Sequence, residues 1–256
     1  MKTYCALAAF AALLLTALPA QVPAPLDEAR AALQAGDLGQ AESLLVPLTG
    51  ATAAGAPAFL VLGQLRERQR NLKEAVAAYE QATKRDATRP EYFSSLGIAL
   101  SQRMAELSFI QQAMTAGRMK KAFEQSVALD PKHLSGLIGL ARYYANAPEI
   151  AGGSLEKAKE FADRVRALNP FLGELEQGNI AEKGEDFGGA LGHFETALQL
   201  HPDDAGLQNA CGRTLARLGR KDEARARFEA ALRLNPAMES AKKALAALAA
   251  PAEPKD

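Results

Sequence analysis

Between Ala205 and Pro236 the apolar residues fall three or four apart in two runs. Leu207, Cys211, Leu215 and Leu218 make the first, which stops at Gly219, and Ala224, Phe228, Ala231 and Leu234 make the second, which stops at Asn235 and Pro236. That spacing predicts two amphipathic helices. Proline closes the second, because it lacks a donor and biases its predecessor out of the helical region. Thirty-four residues earlier, Ala190, Phe194, Ala197 and Pro202 repeat the order of Ala224, Phe228, Ala231 and Pro236. Leu38, Ala41, Leu45 and Leu48 stand in the same relation to Leu72, Ala75, Tyr79 and Ala82, and Phe59, Leu62 and Gly63 to Phe93, Leu96 and Gly97. The chain is a series of helical hairpins at a fixed period.

The period breaks twice. Phe123, Ser126 and Pro131 follow Tyr79, Ala82 and Ala87 by 44 residues, so ten are inserted, and Phe123 to Ala162 is 39, five too many. Leu96 to Ala116 holds no proline and the first break is at Gly117, which predicts a first helix of the third hairpin running two to three turns past its neighbours. The second insertion falls in Asn146 to Ser154, where Pro148 ends one helix and Ser154 reads as the N-cap of the next. Leu172, Leu175 and Ile180 are sparse and Gly178 interrupts them, so the first helix of the fifth hairpin is expected to be short or frayed. Met238 to Ala249 reads as one amphipathic helix suited to closing the stack.

The motif Ala-x3-Phe-x2-Ala-x4-Pro at this period, after a glycine turn, resembles the tetratricopeptide repeat. QQAMTAGRMKKAFEQSVALDP and NAPEIAGGSLEKAK are further similar to a subgroup of exported bacterial members of that family. The resemblance implies an all-α, right-handed superhelical solenoid of about six hairpins plus a C-terminal capping helix, and a function based on binding rather than catalysis. The expected organisation is a signal peptide at 1–20, an extended lead-in at 21–26 and a solenoid at 27–250. Its hairpins fall at 27–55, 56–89, 90–132, 133–170, 171–204 and 205–236, with a cap at 237–250 and a disordered tail at 251–256. The resemblance also implies an inner wall made by the first helix of each hairpin. In register, its residues include Ile98, Ile138, Arg142, Asn209, Arg213 and Arg217, beside Leu60, Gln64 and Ser94. Asn209, Arg213 and Arg217 recur every fourth residue, a spacing that suits forking the carboxylate of a bound peptide.

Composition narrows the partner. Of 256 residues, 48% are hydrophobic, and 30 basic residues balance 30 acidic ones without clustering, so the chain can bury a large core and offers nucleic acid no basic stripe. Residues 1–20, MKTYCALAAFAALLLTALPA, follow the layout of a secretory signal. The expected place is therefore outside the cytoplasm, in a bacterial periplasm, with membrane anchoring by an uncleaved signal as the alternative. The expected partner is another protein or peptide segment, with no nucleic acid, no integral membrane span after signal removal and no cofactor. Oligomeric state is not readable.

Candidate chemistry is thin. Ser154 and Lys157 have the spacing of a serine acyl-enzyme, but no Ser-Asp-Asn or Lys-Thr-Gly follows, and a helix cap explains them. His133, His193 and His201 lack helical metal spacing and read as surface residues. Cys211 occupies an inward position and reads as buried packing. A small-ligand or transporter-associated binding subunit, with a pocket at the extended third hairpin and the Pro148 to Ser154 loop, is the competing expectation.

Overall fold

The computed structural model describes residues 24–50 and 55–249, and every regular element among them is helical. Thirteen α-helices follow in order: α1 (Ala24–Ala35), α2 (Leu38–Thr49), α3 (Ala56–Arg68), α4 (Leu72–Arg85), α5 (Pro90–Arg103), α6 (Phe109–Leu129), α7 (Leu134–Asn146), α8 (Leu155–Leu168), α9 (Pro170–Lys183), α10 (Phe187–Leu200), α11 (Ala205–Arg217), α12 (Lys221–Leu234) and α13 (Glu239–Ala249). They pack as six hairpins, α1 on α2 through α11 on α12, and α13 closes the end against α12 and α11. The odd-numbered helices also pack on one another, α1 on α3, α3 on α5, α5 on α7 and α7 on α9. They form the crowded inner row of a curved stack, and the even-numbered helices the outer row. No helix among the described residues is long and apolar enough to cross a membrane.

The same turn is rebuilt in four hairpins. Gly36, Arg70, Glu185 and Gly219 take left-handed φ values of 84°, 59°, 61° and 76°. Asp37, Asn71 and Asp186 follow three of them and accept from the backbone N–H three residues on. Glycine adopts this conformation freely, whereas Arg70 and Glu185 bear roughly 1–2 kcal/mol of strain. Behind the last three of these turns one large ring of the even helix lies against a glycine of the odd helix before it. A methyl group at Gly63 would stand 2.3 Å from Tyr79, one at Gly178 2.4 Å from Phe194, and one at Gly212 2.6 Å from Phe228. The helices therefore approach at these rings, and the Ala-x3-Phe-x2-Ala positions are buried: Ala190, Phe194 and Ala197 are each 0% exposed.

Three expectations need correcting. The first helix begins at Ala24, inside the segment expected to be extended; Pro25 sits in its first turn, where an amide donor is not needed, and Leu26 is buried. The ten-residue insertion lengthens the second helix of the third hairpin, not the first. α5 ends in a 3-10 turn at Met104–Glu106, and the 21-residue α6 begins after Ser108 and runs through Gly117. A capping box formed by Ser108 and Gln111 starts α6 there. α9, expected to fray, is a full 14 residues. Asn169 accepts from Leu172 at its start, and buried Glu174, Glu176 and Gln177 fill the positions where apolar residues were sought.

The signal peptide, Gln21 to Pro23 of the lead-in, part of the 50–56 linker and the tail lie outside the described residues. In the cap, Ala241 is buried and Lys242 and Lys243 face outward.

Candidate functional site

Four recesses follow one another along the odd helices. The first, about 670 Å³, lies between α1 and α3 beside Gln64, Glu67 and Arg68. The second, about 770 Å³, lies between α5, α6 and α7. The third, about 370 Å³, is lined by Arg142, Asn146, Glu176 and Lys183, and the fourth, about 500 Å³, by Phe187, Arg213, Arg217 and Leu248.

The second recess is where both insertions meet. Gln112, Ala116 and Met119 of the lengthened α6 wall one side, and Ala147, Pro148 and Ala151 of the second insertion wall another. Each wall is pinned. The Gln112 side-chain amide donates to the Met104 and Leu107 carbonyls at 3.2 and 3.0 Å, which ties α6 to the end of α5. The Tyr143 hydroxyl donates to Ala151 O at 2.7 Å, and Ser154 N–H donates to Tyr144 O at 2.8 Å, which fold the loop back onto α7. Phe123 and Ile138 complete the floor.

Ile98, Ile138 and Arg142, expected on the inner wall, come together in this cleft. Arg142 is not free. Its Nε lies 3.1 Å from both carboxylate oxygens of Glu176 and its Nη2 2.6 Å from Oε1. The Glu176 side chain is 2% exposed and that of Arg142 60%, so a buried carboxylate is satisfied by an arginine that still reaches water. The paired carboxylate also holds the proton on Arg142 more tightly than usual.

The residues of the expected carboxylate fork lie along α11, with Arg213 and Arg217 exposed. Arg213 lies 3.5 Å from Glu182, whose other oxygen accepts from Thr214 at 2.8 Å. Arg217 stands 5.9 Å over the Phe187 ring. Asn209 is half-buried, and its Oδ1 is buried without a hydrogen-bond partner.

The other candidates resolve into structural roles. Ser154 Oγ accepts from Lys157 N–H at 3.2 Å as an N-cap, and the Lys157 ammonium stands 5.5 Å over Tyr144, turned onto that ring. Two of the three histidines are less exposed than expected. His133 Nε2 is 2.9 Å from Ser94 Oγ, and His193 Nδ1 is 2.6 Å from Glu174 Oε2. Among the described residues no group of three or more His, Cys, Asp and Glu side chains is placed to hold a metal ion.

Cys211 is 0% exposed, and burial pushes its thiol up to about 11. In a Cys5→Ala chain, which leaves Cys211 as the one thiol, treatment with a thiol reagent at about pH 8 is expected to leave the folded protein unlabelled and to label it fully in denaturant. Equal rates in both states would place Cys211 at the surface.

In the first recess Glu67 is half-buried, and burial raises its carboxyl above the ordinary value despite the 2.7 Å hydrogen bond from Tyr79. The folded chain then binds that proton more tightly than the unfolded chain. Stability from this group is present below the ordinary carboxylate range and is lost as pH rises through the raised value. Glu67→Gln, which keeps an acceptor for Tyr79, is expected to raise Tm at neutral pH and to leave it unchanged near about pH 4. A variant less stable than the native chain at neutral pH would contradict the assignment.

Hairpins in series, with one row of helices forming a recessed inner face, define an α-solenoid repeat protein. The tetratricopeptide repeat family matches residues 26–90, 175–239 and 210–252, together more than half of the sequence. The chain belongs to the tetratricopeptide repeat family. The matched stretches flank the hairpins that carry the two insertions.

In sequence it is similar to the Peroxisomal targeting signal receptor of Kluyveromyces lactis, 24% identical over 216 residues, which are 71% of this chain and 36% of the receptor. The chain spans about a third of the length of the curated relatives it matches. In structure it is similar to PilW, described as a widely conserved type IV pilus biogenesis factor, with a TM-score of 0.73 at 15% identity over 89% of this chain and 100% of that one. It is also similar to PilF of Pseudomonas aeruginosa, with a TM-score of 0.64 at 16% identity over 88% and 97%. These likenesses establish the shared solenoid.

Proposed function

We propose that this chain is a non-catalytic scaffold that holds a segment of another protein along its odd-helix face, in a compartment reached by export. The repeat fold is a protein interaction scaffold, and the observation that carries the finer reading is the meeting of two separate insertions at one cleft. Repeat arrays place their per-repeat insertions on one face, often the binding face. Here the ten-residue insertion in the third hairpin and the five-residue one in the fourth wall the same recess. The receptor for a targeting signal that it resembles in sequence supports a binding role. The layout of residues 1–20 supports export, to a periplasm.

The reading is tested by crosslinking in the producing cell followed by purification of the native chain, an Ile98→Arg and Ile138→Arg variant of the cleft, and a Glu229→Arg variant of the outer row. The cleft variant is expected to lose proteins that the other two retain. Identical recovery from all three would remove the inner face from the binding site.

A further inference from the structure

The most exposed large apolar side chains among the described residues are Phe109, Ile110, Met114 and Ile150. Each is at least 70% exposed, and no other passes 57%. All four belong to the two insertions. α6 has 21 residues where α4, α8, α10 and α12 have 14, and it ends like α8, one residue before a proline-preceding turn residue. Its extra length, about 10 Å at 1.5 Å per residue, therefore lies at its start, where Phe109, Ile110 and Met114 stand. Ile150 stands on the short turn Glu149–Ala151, which packs against α6.

Helical spacing places Ile110, Ala113, Met114, Gly117 and Lys121 on one face of α6, opposite Gln112, Ala116 and Met119, which line the cleft. All five are exposed, and a contiguous apolar face left open on a soluble helix marks a contact. The face reads alike in both directions from the midpoint of Ala113 and Met114. Ile110 stands as far before that point as Gly117 stands after it. Glu106, in the turn that leads into α6, stands as far before it as Lys121 stands after it. Two copies of α6 crossing antiparallel there would set Ile110 of each over Gly117 of the other, where an added methyl group meets nothing within 4 Å. The same crossing brings Glu106 of each to the side of Lys121 of the other. Both groups are exposed, and neither has an ion-pair or hydrogen-bond partner among the described residues.

We infer that this face of α6 is a contact surface for a second copy of the chain, paired antiparallel about Ala113 and Met114, with Ile150 at its margin. A pattern that is its own complement is what a two-fold contact requires and what an unrelated partner does not. A lipid surface fits less well. Helices that lie among lipid headgroups carry Lys and Arg beside their apolar face, whereas Glu106 comes three residues before Phe109 and Glu149 directly before Ile150. The contact uses the side of α6 turned away from the cleft, so it stands independently of what occupies the inner face.

Sedimentation velocity of the full chain tests this. Conversion of monomer to dimer is expected as concentration rises through about 1–100 µM, since a patch this small gives weak association. Ile110→Glu, checked for a native melting curve, is expected to weaken the dimer at least about tenfold. Glu106→Lys and Lys121→Glu should each weaken it about threefold or more, and the chain carrying both exchanges should recover the native affinity. In a Cys5→Ala background, Met114→Cys should give a disulfide-linked dimer on mild oxidation, whereas Gln125→Cys should not. A chain monomeric throughout the range, a dimer indifferent to Ile110→Glu, no recovery in the double charge exchange or no crosslink at position 114 would overturn the inference. So would a monomer that floats with phosphatidylcholine vesicles and loses them on Ile110→Glu, which would assign the face to lipid.

Discussion

Phe123→Ala is expected to be the most destabilising single truncation in the central hairpins, costing about 3–5 kcal/mol. Its ring is pinched between two odd helices. A methyl group at Gly97 of α5 would stand 2.6 Å from it, and one at Gly139 of α7 2.3 Å. Both backbones have therefore closed onto the ring, and neither is free to collapse into the space it leaves. The ring is 3% exposed and packs in one cluster with Leu140, Tyr143, Tyr144 and Ile180, so its loss also loosens the floor of the cleft. In a solenoid each hairpin is held mainly by its neighbours, so weakening the third-to-fourth junction should split cooperative unfolding into two steps. Urea unfolding followed by circular dichroism checks both points. A single transition displaced by less than about 1 kcal/mol would mean that the junction is not held by this ring.

Arg142→Ala is expected to cost about 3–5 kcal/mol, far more than a half-exposed arginine ordinarily warrants. The cost comes from its partner. Glu176 is 2% exposed at its side chain, and the guanidinium supplies the contacts to both of its carboxylate oxygens. Truncating the arginine strands a buried carboxylate, whereas truncating the glutamate leaves an arginine that already reaches water. Glu176→Ala should therefore cost less than Arg142→Ala, and the double variant should recover part of the arginine's loss. Thermal melts of the three variants check the order. Equal losses for the two single substitutions would show that Glu176 finds water or another donor when its partner is removed.

The even helices were legible because their core positions tolerate so little. Ala190, Phe194 and Ala197 stand where a ring meets a glycine and two small residues allow helices to close, so residue type recurs with the period. The third hairpin was harder. Leu96 to Ala116 carries apolar residues on all sides, no proline and, after Gly97, no glycine, and the interruption is made by a capping box spanning Ser108 to Gln111, four ordinary-looking positions. α9 was misjudged because apolar residues alone were counted, whereas Glu174, Glu176 and Gln177 are buried through hydrogen bonds to other helices.

Of the six inner-wall residues, Ile98, Ile138 and Arg142 share a cleft, while Asn209, Arg213 and Arg217 sit one beside another on α11 with their groups engaged or turned apart. The tie on Arg142 did leave a trace. Glu176 lies 34 residues after it, at the same register of the next repeat, and opposite charges one period apart on a shared wall face each other. Met119 and Gln112 left none, since their placement depends on which helix the insertion lengthens.

The account rests on the odd-helix row being the face that other molecules occupy. Site-specific photocrosslinking tests this directly, with the crosslinking residue placed at Gln64, Ile138 or Arg217 of the inner row, or at Lys84, Gln199 or Glu229 of the outer row. Crosslinks from the inner positions to one recurring protein, with none from the outer ones, are the predicted result; crosslinks confined to Lys84, Gln199 and Glu229 would contradict it.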